Sequence, residues 1–295
     1  MRNSPLPIHF RQKIPQGKTF FELTQTLADL KLNTVCEEAK CPNRTECYSR
    51  GTLTLQILGS ICTRRCGFCA ETTGIPGRID RDEPERILEA VRRLKLSHVV
   101  LTAPARDDLA DGGASVFAKT VTTLKCNLPH VTVEVLVSDL NGSEESLKTV
   151  LEARPDVFNH NMETVRRLTP NVRAKATYDR SLSNLKAAAD FFAQPFYAAG
   201  GRPPKVKSGV MAGLGETIEE LSQTFADMSA HGVQYLTVGQ YLQPSDKHLP
   251  VEKFYSMDEF GQIKDAAEKF PFEQIFCGPL IRSSYHADEM IRDIA

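Results

Sequence analysis

Short apolar segments alternate with amphipathic segments from residue 53 to residue 269, and this alternation limits the possible folds more than any other feature. The apolar segments predict buried strands at 53–58, 98–102, 131–137, 156–159, 205–211 and 234–238. The amphipathic segments predict helices near 84–94, 114–124, 144–153, 181–193, 216–230 and 257–269. Six strand–helix units favour an α/β fold with a parallel sheet, which either curls into a partial (β/α)6 barrel or stays open and doubly wound.

Three cysteines directly follow the first predicted strand. Cys62, Cys66 and Cys69 have the spacing C-x-x-x-C-x-x-C. A [4Fe-4S] cluster that is bound only by protein takes four thiolates, so three thiolates leave one iron open to another ligand. An open iron on a redox-active cluster can bind a cofactor and give it an electron. The spacing is typical of enzymes that make a radical from S-adenosylmethionine (SAM).

A second group of cysteines lies upstream. Cys36, Cys41 and Cys47 have the spacing C-x(4)-C-x(5)-C in a polar segment, whereas a cysteine buried only for packing has apolar neighbours. A zinc site would show paired C-x-x-C units or a following histidine pair, and a disulfide would need an oxidising compartment. We therefore predict a second metal centre. From ligand chemistry alone its fourth ligand would be Cys277, because serine oxygen binds iron–sulfur clusters less well than sulfur does.

The composition excludes several classes of function. The chain has 295 residues and a formal net charge of -1, so it predicts no nucleic-acid partner. No apolar segment is long enough to predict a membrane span, and residues 1–20 lack the apolar core of a secretory signal. We expect a cytoplasmic, reducing location, where the eight cysteines serve more readily as metal ligands than as disulfides. The isolated Cys126 is predicted to be a small buried side chain.

Polar or glycine-rich segments follow four of the predicted strands, at 102–108, 159–163, 209–216 and 239–244. The carboxyl ends of parallel strands meet at one edge of the sheet, so we expect these segments to surround a shared cavity. Each also has an ordinary structural alternative. Asp107 would cap a turn, Asn161 would cap a helix, and His160 would be a hydrogen-bonded interior residue.

Together these segments resemble the lipoyl synthase family over nearly the whole chain. The matching features are the two cysteine motifs and the segments 106–109, 111–113, 159–165, 239–244, 248–250 and 282–285. The resemblance implies a partial (β/α)6 radical SAM barrel at 51–270. An N-terminal extension at 1–50 would carry the upstream cysteines, and a C-terminal extension at 271–295 would carry the Arg-Ser-Ser-Tyr segment.

The resemblance also implies an activity. A lipoyl synthase inserts sulfur at C6 and C8 of an octanoyl group that is amide-linked to a lysine of a lipoyl carrier domain. It uses SAM and two [4Fe-4S] clusters, of which the auxiliary one provides sulfur. A radical is needed because no protein acid or base can remove a proton from an unactivated C–H bond. The implied partners are E2 subunits of 2-oxoacid dehydrogenases, the glycine cleavage H protein and an electron donor such as ferredoxin or flavodoxin.

Roles for individual residues follow from the same resemblance. The residues implied to hold the SAM-binding cluster are Cys62, Cys66 and Cys69, with Phe68 beside the open iron. The residues implied to contact SAM are Thr102, Arg106, Asp107, Asn161, Glu163 and Gly213. Gly213 lies in a segment similar to the adenine-supporting G-x-I-x-G-x-x-E of radical SAM enzymes.

The resemblance changes the expected ligands of the second centre. The residues implied to hold the auxiliary cluster are Cys36, Cys41, Cys47 and, as the fourth and catalytic ligand, Ser283, with Ser284 as the fallback. The preference for Cys277 is thereby overruled. We suggest a physical reason: a cluster that gives up a sulfide benefits from one weak link, and a serine oxygen leaves iron more easily than a thiolate.

The chain departs from the family pattern at three places. Gly67 stands where family members have proline, residues 103–105 are Ala-Pro-Ala where they have Ser-Val-Asp, so that an acidic residue is lost at Ala105, and Lys247 stands where they have arginine. All implied cluster ligands are present. Two other interpretations stay open, namely a divergent radical SAM sulfurtransferase that acts on a different acyl or carrier substrate, and a cluster scaffold or electron carrier without catalysis.

Overall fold

The structure, a computed structural model, describes residue 10 and residues 18–195 and 203–291. The outer ends of both predicted extensions lie outside the described residues. The described strands are β1 Asn33–Thr34, β2 Thr54–Gln56, β3 Ile61–Cys62, β4 Thr72–Thr73, β5 His98–Thr102, β6 Thr132–Leu136, β7 Val157–Asn159, β8 Lys205–Ala212, β9 Tyr235–Gln240 and β10 Gln274–Gly278.

Eight strands form one sheet in the order β1-β2-β5-β6-β7-β8-β9-β10, and β3 pairs with β4 separately. All neighbours from β2 to β10 are parallel, and β1 joins β2 in the antiparallel direction. From β2 to β10 the order in space follows the order in the chain, as in a barrel, whereas a doubly wound sheet changes direction near its middle. The outer strands of this described sheet do not pair with each other. The fold is therefore an α/β partial barrel.

Helices connect and flank these strands. The described α-helices are α1 Lys18–Asp29, α2 Val35–Glu38, α3 Arg44–Ser49, α4 Glu83–Leu94, α5 Ala114–Asn127, α6 Glu144–Glu152, α7 Thr169–Val172, α8 Tyr178–Phe192, α9 Ile218–Ala230, α10 Met257–Ala267 and α11 Ala287–Met290. Four begin at side-chain caps, from Ser143, Thr177, Thr217 and Ser256. None of these described helices has the length and apolar character that crossing a membrane would need.

The six strands predicted from the sequence are confirmed, with ends that differ by a few residues. The sequence interpretation missed β1, which has two residues, and β10, which is mostly half-buried at the edge of the sheet. β1 lies in the predicted N-terminal extension and β10 in the predicted C-terminal extension. The main sheet therefore includes strands on both sides of the predicted boundaries at positions 50 and 270. The prediction for Cys126 is wrong, because its side chain lies exposed in the last turn of α5.

A charged pair that the apolar pattern did not predict is buried in the core of the sheet. The ammonium of Lys207 lies 3.1 Å from a carboxylate oxygen of Glu134, and both side chains are at most 1% exposed. Asn159 donates a hydrogen bond of 2.8 Å to the other oxygen of Glu134. His98 lies 3.9 Å from the same carboxylate, and burial, together with the Lys207 charge, lowers the pKa of His98 to about 3. The imidazole is therefore neutral at pH 7.

Candidate active site

A cavity of about 520 Å³ lies at the carboxyl ends of the parallel strands. It brings together most of the predicted site residues, namely Cys36, Cys41, Cys62, Cys66, Phe68, Cys69, Thr102, Asn161, Glu163 and Ser283. Cys47 lines an adjoining cavity of about 40 Å³, whose wall also includes Cys36, Cys41 and Ser284. Arg106, Asp107, Gly213 and Cys277 line neither of these two cavities.

The loop of Cys62, Cys66 and Cys69 is held by loops that follow other strands. The backbone N–H of Gly67 donates to Val172 O, and the N–H of Leu249 donates to Gly67 O, both at 2.9 Å. A ring nitrogen of His248 lies 2.9 Å from Cys69 O. A proline at position 67 has no N–H, so the bond to Val172 O depends on the departure from the family pattern at this position.

Arg64, between the first two cysteines of this loop, anchors it to two strand ends. Its guanidinium donates to both carboxylate oxygens of Asp107, at 2.8 to 3.1 Å, and lies 2.6 Å from Asp139 Oδ1. It also donates to Asn141 Oδ1 at 2.9 Å. The side chain is only 5% exposed, and although burial opposes the charge, the two carboxylates raise the pKa of Arg64. Arg64 is thus a buried clamp that the sequence interpretation missed.

This clamp changes the interpretation of two predicted SAM contacts. Burial opposes ionisation of Asp107, but Arg64 and then Lys175 lower its pKa to about 2. Asp107 is therefore a charged partner of the cysteine loop. Arg106 donates to Asp108 at 2.8 and 2.9 Å and to the carbonyl of Leu58 at 3.1 Å, so its guanidinium holds backbone behind the cavity wall.

The thiols of the loop are only partly exposed. Burial, with smaller contributions from the Glu71 charge and the neighbouring thiols, raises the pKa of Cys69 to about 12, although a hydrogen bond from the Glu71 backbone opposes the shift. Burial also raises the pKa of Cys66, although the backbone N–H of Ala174 donates to its sulfur at 3.3 Å. A metal cation would reverse this preference, because a coordinating thiol gives up its proton to the metal.

Beside the C-terminal segment, Cys36 lies on α2, Cys47 lies on α3, and Cys41 lies between these two short helices. Burial, and to a smaller extent the neighbouring thiols, raises the pKa of both Cys36 and Cys47 to about 12. The amide of Asn43 donates to Leu280 O at 2.5 Å, and the Tyr285 hydroxyl donates to a carboxylate oxygen of Glu46 at 2.9 Å. These bonds hold the Arg-Ser-Ser-Tyr segment against the cysteine-bearing segment, although more than 200 residues separate the two along the chain.

Ser283, in the C-terminal segment, is hydrogen-bonded to the barrel. Its Oγ accepts a hydrogen bond of 2.6 Å from Nδ2 of Asn161. Cys277 lies elsewhere, on β10, where burial raises its thiol pKa to about 12 and its sulfur lies 3.5 Å from Phe260 O. The structure therefore brings Ser283, and not Cys277, to the cavity that Cys36 and Cys41 line.

The glycine-rich segment 209–216, which begins within β8, has two different constraints. At Gly209, which lines the cavity, a Cβ atom would lie 2.6 Å from Thr237 Oγ1. Gly213 has a φ of 108°, and a Cβ atom there would lie 2.6 Å from Lys253 O. The carboxylate of Glu216 accepts from the N–H of Gly213 at 2.6 Å and shapes this turn behind the cavity. Gly213 thus supports the turn, and the structure does not bring it to the cavity wall.

Two further charged residues of the cavity wall were missed. Arg173 is buried and donates to Met162 O at 3.3 Å and to Ser181 Oγ at 2.7 Å. Burial lowers its pKa, and Glu163, also on the wall, acts in the opposite direction. Burial raises the pKa of Glu71 to about 7. No sequence pattern marked Arg173, because it does not directly follow a predicted strand and its neighbours do not distinguish it from a surface arginine.

Sequence comparisons identify the family of this chain. A profile of the Radical SAM superfamily matches residues 57–228, and a profile of the N-terminal domain of lipoyl synthase matches residues 2–41. A lipoyl synthase of Geobacillus thermodenitrificans (strain NG80-2) is 50% identical over 290 residues, which cover 98% of this chain and 94% of that protein. The chain belongs to the lipoyl synthase family. A lipoyl synthase of Staphylococcus aureus (strain Newman) is 48% identical over 290 residues, or 98% of this chain and 92% of that protein.

Solved structures support the fold of this lipoyl synthase family member. HydG, a maturase of the [FeFe]-hydrogenase, superposes with a TM-score of 0.55 at 14% identity, over 92% of this chain and 75% of that chain. Methylornithine synthase (PylB) superposes with a TM-score of 0.53 at 14% identity, over 88% of this chain and 82% of that chain. Family membership makes the protein a radical SAM sulfur-inserting enzyme and implies a [4Fe-4S] cluster and SAM.

The thiol sets fit the ligand chemistry of iron–sulfur clusters, in which each thiolate binds a different iron. In the described part of the chain, no three His, Cys, Asp or Glu side chains form a group that could hold one metal ion. All eight cysteines are free thiols, so none of the proposed ligands is used in a disulfide.

The family departures have structural consequences that leave the ligands unchanged. Ala105 lines the cavity, and its backbone carbonyl accepts from the N–H of Thr63 at 3.0 Å and from the hydroxyl of Thr63 at 2.9 Å. The contact between position 105 and the cysteine loop therefore uses backbone atoms, which the loss of an acidic side chain does not remove.

Proposed function

We propose that this lipoyl synthase family member inserts sulfur at C6 and C8 of an octanoyl group that is amide-linked to a lysine of a lipoyl carrier domain. The observation that carries the proposal is the placement of both cysteine sets and Ser283 around two adjoining cavities at one end of the sheet. The reaction needs a source of radicals and a source of sulfur beside the same substrate carbon. One shared cavity meets that requirement.

We assign the cluster ligands accordingly. Cys62, Cys66 and Cys69 would hold the SAM-binding [4Fe-4S] cluster, and the residues that would hold an auxiliary [4Fe-4S] cluster are Cys36, Cys41, Cys47 and Ser283. When bound, these groups and SAM supply the radical that removes hydrogen from carbon and the sulfur that replaces it. The chain itself supplies position, because backbone and side-chain bonds hold the Cys62–Cys69 loop at the strand ends and Ser283 against the barrel.

Charged groups of the wall would orient SAM. Arg173 has guanidinium N–H groups beyond those that bond Met162 and Ser181, and its buried charge complements the carboxylate of SAM. Glu163 complements the SAM ammonium. Thr102 lies on the wall with its hydroxyl donating to Leu136 O at 3.0 Å, which leaves its oxygen able to accept from SAM. Phe68 remains proposed beside the open iron.

An apolar wall would hold the acyl chain. The apolar residues Ala103, Pro104, Ala105, Leu136 and Val137 line the cavity. Burying each methylene of an octanoyl chain contributes about 0.8 kcal/mol. The carrier, an E2 subunit or an H protein, would present its lysine arm at the cavity mouth. A reductant such as ferredoxin or flavodoxin would act there in the reducing cytoplasm that the free thiols favour.

The test begins with metal content. Anaerobically purified protein is expected to contain iron and sulfide for two clusters, with the broad visible absorption of iron–sulfur proteins. Each triple alanine variant, one at Cys62, Cys66 and Cys69 and the other at Cys36, Cys41 and Cys47, should retain one cluster. Wild-type protein that holds one zinc ion per chain would contradict the proposal.

Turnover then separates the two roles. With SAM, a reductant and an octanoylated carrier domain, the wild type should form 5′-deoxyadenosine and a carrier heavier by two sulfurs. The Cys36, Cys41 and Cys47 variant should form 5′-deoxyadenosine without adding sulfur, because it retains only the radical-forming site. Formation of 5′-deoxyadenosine by the wild type with no change in carrier mass would favour a different acyl or carrier substrate.

A further inference from the structure

We propose that Asn161 is a positioning residue for Ser283, so that a barrel side chain sets the place of the auxiliary cluster's fourth ligand. This inference rests on the assignment of Ser283 under the proposed function. It differs from the sequence prediction, in which Asn161 contacts SAM.

The contact itself is short and has two branches. Asn161 Nδ2 donates to Ser283 Oγ at 2.6 Å and to Glu163 Oε1 at 3.1 Å. An amide nitrogen carries two hydrogens, so both bonds can form together. Among the described residues, Asn161 is the one hydrogen-bond partner of Ser283.

The groups around the Asn161 nitrogen and oxygen determine the orientation of the amide. If the amide were turned over, its carbonyl oxygen would face the carboxylate of Glu163, and two acceptors would repel each other. In the observed orientation Oδ1 is buried and makes no hydrogen bond to any other described group. A Cβ atom at position 209 would lie 2.9 Å from Oδ1, so Gly209 leaves room for it.

The unpaired Oδ1 of Asn161 indicates that the fold favours the hydrogen bonds of Nδ2. A buried acceptor without a hydrogen-bond partner destabilises the folded state. The fold keeps Oδ1 unpaired while Nδ2 donates to both Ser283 and Glu163. Buried groups of this kind are rare in native proteins and call for an explanation, and directing the amide nitrogen at Ser283 provides one.

The barrel side of the contact is hydrogen-bonded to β8. Glu163 has a left-handed φ of 65°, its N–H donates to Gly209 O at 3.0 Å, and its carbonyl accepts from Met211 at 2.8 Å. Ser283 lies between Leu280 and Tyr285, whose bonds hold the backbone of this segment. The bond from Asn161 acts on Ser283 Oγ itself and therefore directs that oxygen towards the barrel.

The experiment uses the full chain with Cys62, Cys66 and Cys69 replaced by alanine, so that only the auxiliary cluster loads. Mössbauer spectra of ⁵⁷Fe-loaded protein should show one iron that differs from the other three, because it has an oxygen ligand. Ser283→Ala should remove or shift that signal. Asn161→Asp, which replaces the donor by an acceptor of the same size, should shift the same signal, and the double variant should equal Ser283→Ala.

Two comparisons make the result specific. Asn161→Ala repeats the test without adding a charge beside Glu163. Gln243→Glu makes the same amide-to-acid change on the cavity wall, where the Gln243 amide donates to His248 O at 3.0 Å and does not touch Ser283. It should leave the Mössbauer spectrum unchanged.

A second readout separates this role from SAM binding. In protein with Cys36, Cys41 and Cys47 replaced by alanine, Asn161→Asp should change the SAM dissociation constant by less than about threefold. A tenfold weakening, about 1.4 kcal/mol, with an unchanged auxiliary spectrum would overturn the inference in favour of a SAM contact. If Ser283→Ala leaves the spectrum unchanged, the ligand assignment of the proposed function fails as well. If only the Asn161 variants are silent, the inference alone fails.

Discussion

Replacing Arg64 by methionine tests whether the buried clamp holds the cysteine loop. The guanidinium is shared by Asp107 and Asp139, and the latter carboxylate is fully buried. Removing one member of a buried ion pair costs about 3 to 5 kcal/mol. Here each carboxylate keeps another cation, since Lys175 lies 3.1 Å from Asp107 and Arg180 lies 3.0 Å from Asp139. We therefore expect the lower end, a loss of about 3 kcal/mol in the free energy of unfolding.

Urea unfolding in the Cys62, Cys66 and Cys69 alanine background provides the assay, because no cluster in the loop then contributes to stability. The matched control is Lys186→Met, which removes an exposed cation 2.6 Å from Asp190. That change should cost less than about 0.5 kcal/mol. With the cysteines intact, Arg64→Met should also lower the iron content and weaken SAM binding. An Arg64→Met protein within about 0.5 kcal/mol of its parent would refute the clamp.

Three further predictions concern the core and the loop. Lys207→Met should cost about 3 to 5 kcal/mol in urea unfolding by leaving the Glu134 carboxylate buried and unpaired, and adding Glu134→Leu should restore most of the loss. The folded pKa of His98, about 3, lies below its unfolded value of 6.5, so the unfolded chain binds the proton first and stability falls as the pH drops from 6.5 towards 3. Between pH 7.5 and pH 5.5 the free energy of unfolding should fall by about 1.4 kcal/mol. Urea unfolding of His98→Gln should lack this part of the pH dependence. Gly67→Pro should lower the melting temperature and speed the loss of iron, since it removes the N–H that Val172 O accepts; an unchanged iron-release rate would show that this bond is dispensable.

Most of the architecture could be read from local patterns. A strand that is buried on both faces is mostly apolar, so residues 98–102 were recognisable from Val99, Val100 and Leu101 without knowledge of their neighbours. The cysteine spacings were equally informative, because several thiolates of one iron–sulfur cluster commonly lie a few residues apart on one loop. β10 escaped notice because an edge strand is only half-buried and carries a weaker apolar signal.

The sequence by itself determined the class of fold, the positions of the six thiols and the strand ends at which the chemistry should lie. Only the tertiary structure decided which polar side chains enter the cavity. Arg106 and Asp107 do not line the cavity, because Arg106 donates to the Leu58 carbonyl and Asp107 accepts from Arg64. Arg173 and Ser283 do line it, whereas Cys277 does not. The physical reason is that local patterns depend on neighbours along the chain, while a buried polar group points wherever a distant partner satisfies it.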